Sequence, residues 1–213
     1  MTDVYLEVGK KTVFACALDW PGWCRKGKTE QDALDALGAY ADRYAVIARR
    51  ARVAFKPGDL TVVDRVTGGA TTDFGAPEKA IDADARAVPA AEAKRQVKLL
   101  KAAWAELDAI AAATPEHLLK GPRGGGRDRD KMLDHVAGSE AGYARLIGVK
   151  RKLESYQDTA GREELRAAVA EVLGAASDGG PLRERGWGSR YAARRFAWHV
   201  LDHLWEMQDK TPA

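Results

Sequence analysis

Three of the four histidines in the chain have types and spacing that could do chemistry together. His199 and His203 stand four residues apart in RRFAWHVLDHLWEMQDK, residues 194–210. In a helix, positions i and i+4 lie one turn apart on one face. Phe196, Val200, Leu204 and Met207 recur there at the helical period. Both imidazoles therefore point toward whatever this helix packs on. Inward histidines either find buried hydrogen-bond partners or bind a metal. His135 lies near another inward stripe, three residues after Met132 and one before Val136. It brings the set to three imidazoles from two helices. Three protein ligands, with a fourth position left for water or substrate, are the common make-up of a catalytic zinc site. Neutral imidazole also suits nickel, copper and iron, so the donor type does not fix the ion. The plainer alternative is three satisfied core histidines. His117, in TPEHLLK, reads as an exposed loop residue.

These residues need a helical scaffold, and the second half of the sequence supplies one. A helix is expected after Pro89, with Ala93, Val97, Leu100, Trp104, Leu107 and Ala111 as its apolar stripe. Pro89 suits a helix start, and Thr114-Pro115 ends the pattern. A flexible loop, KGPRGGGR, follows at 120–127. The second helix is expected from about 128 to 149, and the third from about 162 to 173. Gly174 and then Gly179-Gly180-Pro181 close the third. The fourth begins near Ser189. Four amphipathic helices joined by loops predict a four-helix bundle over 88–213.

The first 67 residues read as a small α/β unit, giving an α+β fold class overall. Val4–Val8 and Thr12–Leu18 are strand-like and joined through Gly9-Lys10-Lys11. Asp19–Trp23 is a turn. Thr29 is a suitable N-cap for a helix running to about residue 50, and Leu60–Val66 is a further strand. Residues 68–87 mix Gly, Thr, Asp, Ala and Pro without periodicity. They read as a linker between two domains, and the helical part is expected to fold alone.

Composition narrows the functions. The chain has 213 residues, 46% hydrophobic and 31% charged, with a net charge of +3. That balance fits a soluble globular protein and predicts neither nucleic-acid nor membrane binding. No apolar run approaches the roughly 20 residues that span a bilayer, and MTDVYLEVGK does not read as a secretion signal. Cys16 and Cys24 are too few for a disulfide scaffold. They are expected as reduced packing thiols in a cytoplasmic protein.

Two stretches of the helical half, DKMLDHVAGSEAGY at 130–143 and WHVLDH at 198–203, resemble the DinB-like superfamily of metal-binding four-helix bundles. His135, Glu140, His199 and His203 fit its pattern in order and spacing. The resemblance covers about residues 88–213. It implies one divalent ion, usually zinc or nickel, at one end of the bundle. Relatives that it brings in include transferases and isomerases using mycothiol, bacillithiol or glutathione. At the other end of the chain, LDWPGWCRKGKTEQDALDALGAY, residues 18–40, resembles the HicB-like fold of antitoxins. Pro21, Gly22, Gly27, Thr29, Ala33 and Leu34 carry that match. The fold is related to ribonuclease H. No DNA-binding element is appended here, so the domain reads as a binding or assembly module.

Other motifs carry less. GPRGGGR at 121–127 lacks the Gly-Lys-Ser/Thr ending of a phosphate-binding loop. GSEAG at 138–142 places Ser139 inside a helix and is not a nucleophile elbow. Arg183, Arg185, Arg190, Arg194 and Arg195 precede the histidine pair. Such a cluster is usually a solvated face, but Arg195 is one turn from His199 and could meet an anionic substrate. Glu140 is a candidate to approach the rim of the site.

The leading expectation is a metal-dependent transferase or hydrolase, in which a bound ion acts on water or a thiol. The alternatives are a non-catalytic metal-binding or protein-interaction module and a HicB-type regulator. Expected partners are a small-molecule substrate or thiol. Nucleic acid and membrane are not expected, and a homodimer is allowed.

Overall fold

The computed structural model describes residues 1–121 and 125–212. Part of the loop expected at 120–127 lies outside them. The chain opens with β1 (Thr2–Val8), β2 (Val13–Ala17) and β3 (Cys24–Gly27). Helices α1 (Glu30–Ala39) and α2 (Ala41–Arg50) follow, then β4 (Leu60–Thr67). The sheet order is β3-β2-β1-β4. β1 runs antiparallel to β2 and parallel to β4, and β2 is antiparallel to β3. After a short helix α3 (Ala70–Phe74) and a 3-10 turn at Asp82–Ala85 come four long helices. They are α4 (Ala90–Ala113), α5 (Arg129–Leu146), α6 (Thr159–Leu173) and α7 (Ser189–Lys210).

Local chemistry explains the helix starts. Thr29 accepts from the Asp32 backbone N–H, and Asp32 accepts from the Thr29 N–H. This reciprocal capping box satisfies two otherwise orphaned donors of α1. Asp158 caps α6 through the Gly161 N–H. The single helix expected up to residue 50 is broken at Tyr40, which ends α1 and begins α2. Periodicity alone missed the break because the apolar stripe resumes after the bend. The sequence alone marks no element at β3, which lies between the Asp19–Trp23 turn and the Thr29 cap. Trp20 and Trp23 close that turn by a backbone hydrogen bond of 3.0 Å, which folds β3 back beside β2.

Alternation along the strands gives the sheet two apolar faces. Val4, Leu6, Val13, Ala15 and Ala17 meet Ala33, Leu37, Tyr44 and Ile47 of α1 and α2. Tyr5, Phe14, Cys16 and Cys24 face the other way, toward Ile81 and Trp198 of α7. Phe14 and Trp198 stack edge to face, with centroids 6.3 Å apart. The sheet thus supports α7 at the residue before His199. Cys16 and Cys24 stand opposite each other in the β2–β3 register, with Cα atoms 4.1 Å apart, and are joined as a cross-strand disulfide. This corrects the expectation of two reduced packing thiols. Eight residues of separation hid a pairing that only the folded-back β3 creates.

The stretch 68–87, expected as a linker without structure, is tied down at several points. Glu7 is fully buried on β1 and accepts from the Thr72 hydroxyl at 2.5 Å. The backbone N–H groups of Glu78 and Lys79 also donate to it, each at 3.0 Å. Arg194 of α7 is buried against Asp84, with its Nε 3.1 Å from Oδ1, and donates to the Tyr5 hydroxyl at 2.7 Å. A buried pair held this way needs its remaining polar atoms satisfied, and Asp84 also accepts from the Ile81 N–H at 3.0 Å.

The four long helices pack on one another, α7 against α4 and α5, and α6 against α4 and α5. Their core is continuous with the helix-covered face of the sheet. Gly22 marks a close approach of the β2–β3 turn to α7. Its φ is +88°, and a Cβ there would lie 2.7 Å from Leu201 and 2.8 Å from the Ala197 backbone. Only glycine fits that contact.

Candidate metal centre

α5 and α7 bring the three histidines together. Their candidate ligand atoms all lie within 4.8 Å of one another. His199 and His135 oppose Nε2 to Nε2 at 3.2 Å. Ring centroids are 5.0 Å apart for His135–His203 and 4.7 Å for His199–His203. The reason lies in the sequence. Phe196, Val200, Leu204 and Met207 are buried along α7, and Met132, Leu133 and Val136 along α5. Burying those stripes turns the histidines between them inward. His199 is 5% exposed and His203 8%, while His135 is partly open.

Burial controls the protonation of His199 and His135. His199 is held well below the usual imidazole range, first by burial and then by His203 and His135. His135 is lowered to about 4 by burial, with His203 and Arg127 adding to the effect. Both are therefore neutral near pH 7 and able to offer a lone pair. His203 Nδ1 lies 2.9 Å from Glu206 Oε2. Glu206 is held down to about 2 by the hydrogen bonds from His203 and Lys210, so it remains a carboxylate. As a carboxylate it accepts a hydrogen bond from His203 Nδ1, which makes Nε2 the ring nitrogen available to an ion. Carboxylates commonly orient metal-binding imidazoles in this way.

The donor set fits a divalent ion. Two imidazole nitrogens bound at about 2.0–2.1 Å with a tetrahedral angle stand about 3.3 Å apart, close to the observed His135–His199 separation. No fourth His, Cys, Asp or Glu joins the cluster among the described residues. His199 Nδ1 is buried without a protein partner. On one side Tyr143 packs on His199, with centroids 5.7 Å apart.

The remaining sequence candidates fall in different places. Glu140 is buried away from the histidines. It accepts from Trp104 Nε1 and lies 3.4 Å from Arg166 Nη2. Burial pushes its carboxyl up, against the pull of Arg166. Arg166 continues to Asp108 with 3.0 Å contacts to both oxygens. Glu140 thus belongs to a charged network among α4, α5 and α6. Arg195 is near the site, and its charge helps keep His199 neutral. Its guanidinium lies 4.6 Å from the Trp198 ring and 5.4 Å from Tyr143, and it donates to the Pro77 carbonyl. His117 is exposed. Sequence reasoning missed Glu206, although its position three residues after His203 on one helix was a usable signal. It also missed Arg127, which has no helical period to mark it.

Fold and site together define an α+β chain with a buried three-histidine cluster in its helical half. No family model, curated protein or solved structure matches the chain. No helix among the described residues is long and apolar enough to cross a membrane.

Proposed function

We propose that His135, His199 and His203 hold one divalent ion, zinc or nickel, and that the chain is a metal-dependent transferase or hydrolase. The observation that carries this reading is the convergence of three imidazoles, His135 and His199 held neutral by burial, with no fourth His, Cys, Asp or Glu among the described residues. The DinB-like resemblance adds to it, because that pattern also takes its histidines from the second and last bundle helices. The β3-β2-β1-β4 order, with β1 and β4 parallel, is compatible with the HicB-like resemblance. In this reading the sheet is an assembly module that braces α7.

A bound ion would supply Lewis acidity and favour hydroxide or thiolate in the open position. The chain's own residues do the rest. Glu206 fixes the His203 ring. Trp198, held by the sheet, and Tyr143 limit water around His199. Arg195 and Arg127 place positive charge beside the cluster, which favours an anionic thiol or co-substrate. The test is a thermal-shift screen of zinc- and nickel-loaded protein against glutathione and other low-molecular-weight thiols. A ligand of the ion should stabilise the loaded protein only, by about 2.7 kcal/mol at a hundred times its dissociation constant. The same shift in metal-free protein would overturn the thiol step.

A second reading has one observation in its favour. The 3.2 Å between His135 and His199 is also a hydrogen-bond length for two neutral imidazoles. In that case the trio would be a polar core cluster without an ion, and the purified protein would contain no stoichiometric metal.

A further inference from the structure

Away from the histidines, a concave surface of about 390 Å³ is lined by Arg145, Lys150, Arg151, Lys152 and Arg183. All five are exposed. They come from the last turn of α5, the segment between α5 and α6, and the segment between α6 and α7. Among the described residues, no acidic side chain lines the concavity. Among the described residues, the ion pair found for these five is a loose one, Arg151–Glu164 at 3.9 Å. The end of a helix accommodates a cation or two against its dipole. Five in one hollow repel each other unless an anion joins them.

The hollow is built on fixed backbone. The Trp187 N–H donates to the Leu146 carbonyl at the end of α5, and the Leu182 N–H donates to the Trp187 carbonyl, both at 2.9 Å. Gly186 allows this close seating, since a Cβ there would lie 2.4 Å from the Leu146 carbonyl oxygen. Arg183 donates through Nη1 to the Arg145 carbonyl at 2.9 Å and through Nε to the Glu184 carbonyl at 3.2 Å. Its guanidinium is thereby pinned with further N–H groups to spare. A pinned arginine fork with lysine point charges around it suits phosphate oxygens.

We propose that this hollow binds a small molecule carrying two or more linked phosphate groups. Its size is that of a metabolite site. The five cationic residues border one hollow rather than forming a track, which favours a compact polyanion over a nucleic-acid strand. The net charge of +3 also argues against general affinity for nucleic acid.

Calorimetry on the full chain with pyrophosphate and inorganic triphosphate tests this. It is run at 150 mM salt, a value chosen to screen surface charge, on protein stripped of metal by chelator, so that phosphate cannot bind through an ion. One site is expected. An Arg183→Ala, Lys150→Ala double variant should bind at least tenfold more weakly with an unchanged helical circular-dichroism spectrum. Arg49→Ala, an exposed change on α2, should leave binding intact. Absence of triphosphate binding would overturn the proposal, as would equal binding by the double variant. Binding to a single-stranded oligonucleotide or to anionic vesicles, but not to triphosphate, would do the same.

Discussion

His135 on α5 and His199 on α7 are 64 residues apart in sequence and meet Nε2 to Nε2 at 3.2 Å. The contact needs both helix stripes to be buried together, and α7 to be held at the right rotation. Trp198 against Phe14, and Gly22 against Ala197 and Leu201, hold it from the sheet side. The first 67 residues therefore contribute to the geometry of a site that lies wholly in the helical half.

That dependence makes Gly22 a sensitive position. Gly22→Ala imposes a left-handed φ on a residue with a side chain and drives its Cβ into α7. The two costs together come to about 2–5 kcal/mol. Urea unfolding should show the loss, and metal affinity should fall with it. An unchanged midpoint would mean that the turn does not seat on α7 as described.

Glu140→Ala separates structure from site. It leaves Arg166 buried with one partner fewer, and breaking a buried pair costs about 3–5 kcal/mol. The variant should melt lower yet still bind one ion per chain. Loss of the ion without loss of stability would place Glu140 at the metal instead.

Glu206→Gln probes the carboxylate that orients His203. Removing such a partner weakens metal binding by about 10–100-fold. Competition with a metallochromic indicator would read this directly. Wild-type affinity in the variant would show that His203 needs no such support.

The histidines also set a pH dependence in the metal-free protein. The unfolded chain takes up protons on histidine below about 6.5, whereas folded His135 does so only near 4. The unfolded state thus binds more protons in that window, and stability falls as pH falls through it. The urea midpoint of wild type should drop from pH 6.5 toward 4 more steeply than that of His135→Asn, and the two should run parallel above pH 7. Parallel curves throughout would mean that His135 is not desolvated.

The sequence made the long helices and the histidine trio readable because both rest on short-range periodicity. His199 and His203 share a face by spacing alone, and Met132 and Val136 point His135 inward. Glu140 was misplaced because five residues on a helix turn the side chain by about 140° from His135, toward Trp104 and Arg166. The segment 68–87 has no period to read. Its order comes from Glu7 and Arg194, remote residues that satisfy its backbone and Asp84. The Cys16–Cys24 pairing was hidden for the same reason, since the register of β3 is a tertiary outcome.

The central claim is that the three imidazoles bind an ion, and cobalt titration of metal-free protein tests it most directly. The account predicts visible absorption of a tetrahedral cobalt site that saturates at about one ion per chain. It predicts none in a His135→Ala, His199→Ala double variant that keeps its helical circular dichroism. Full occupancy in that variant, or no stoichiometric binding by the wild type, would contradict it.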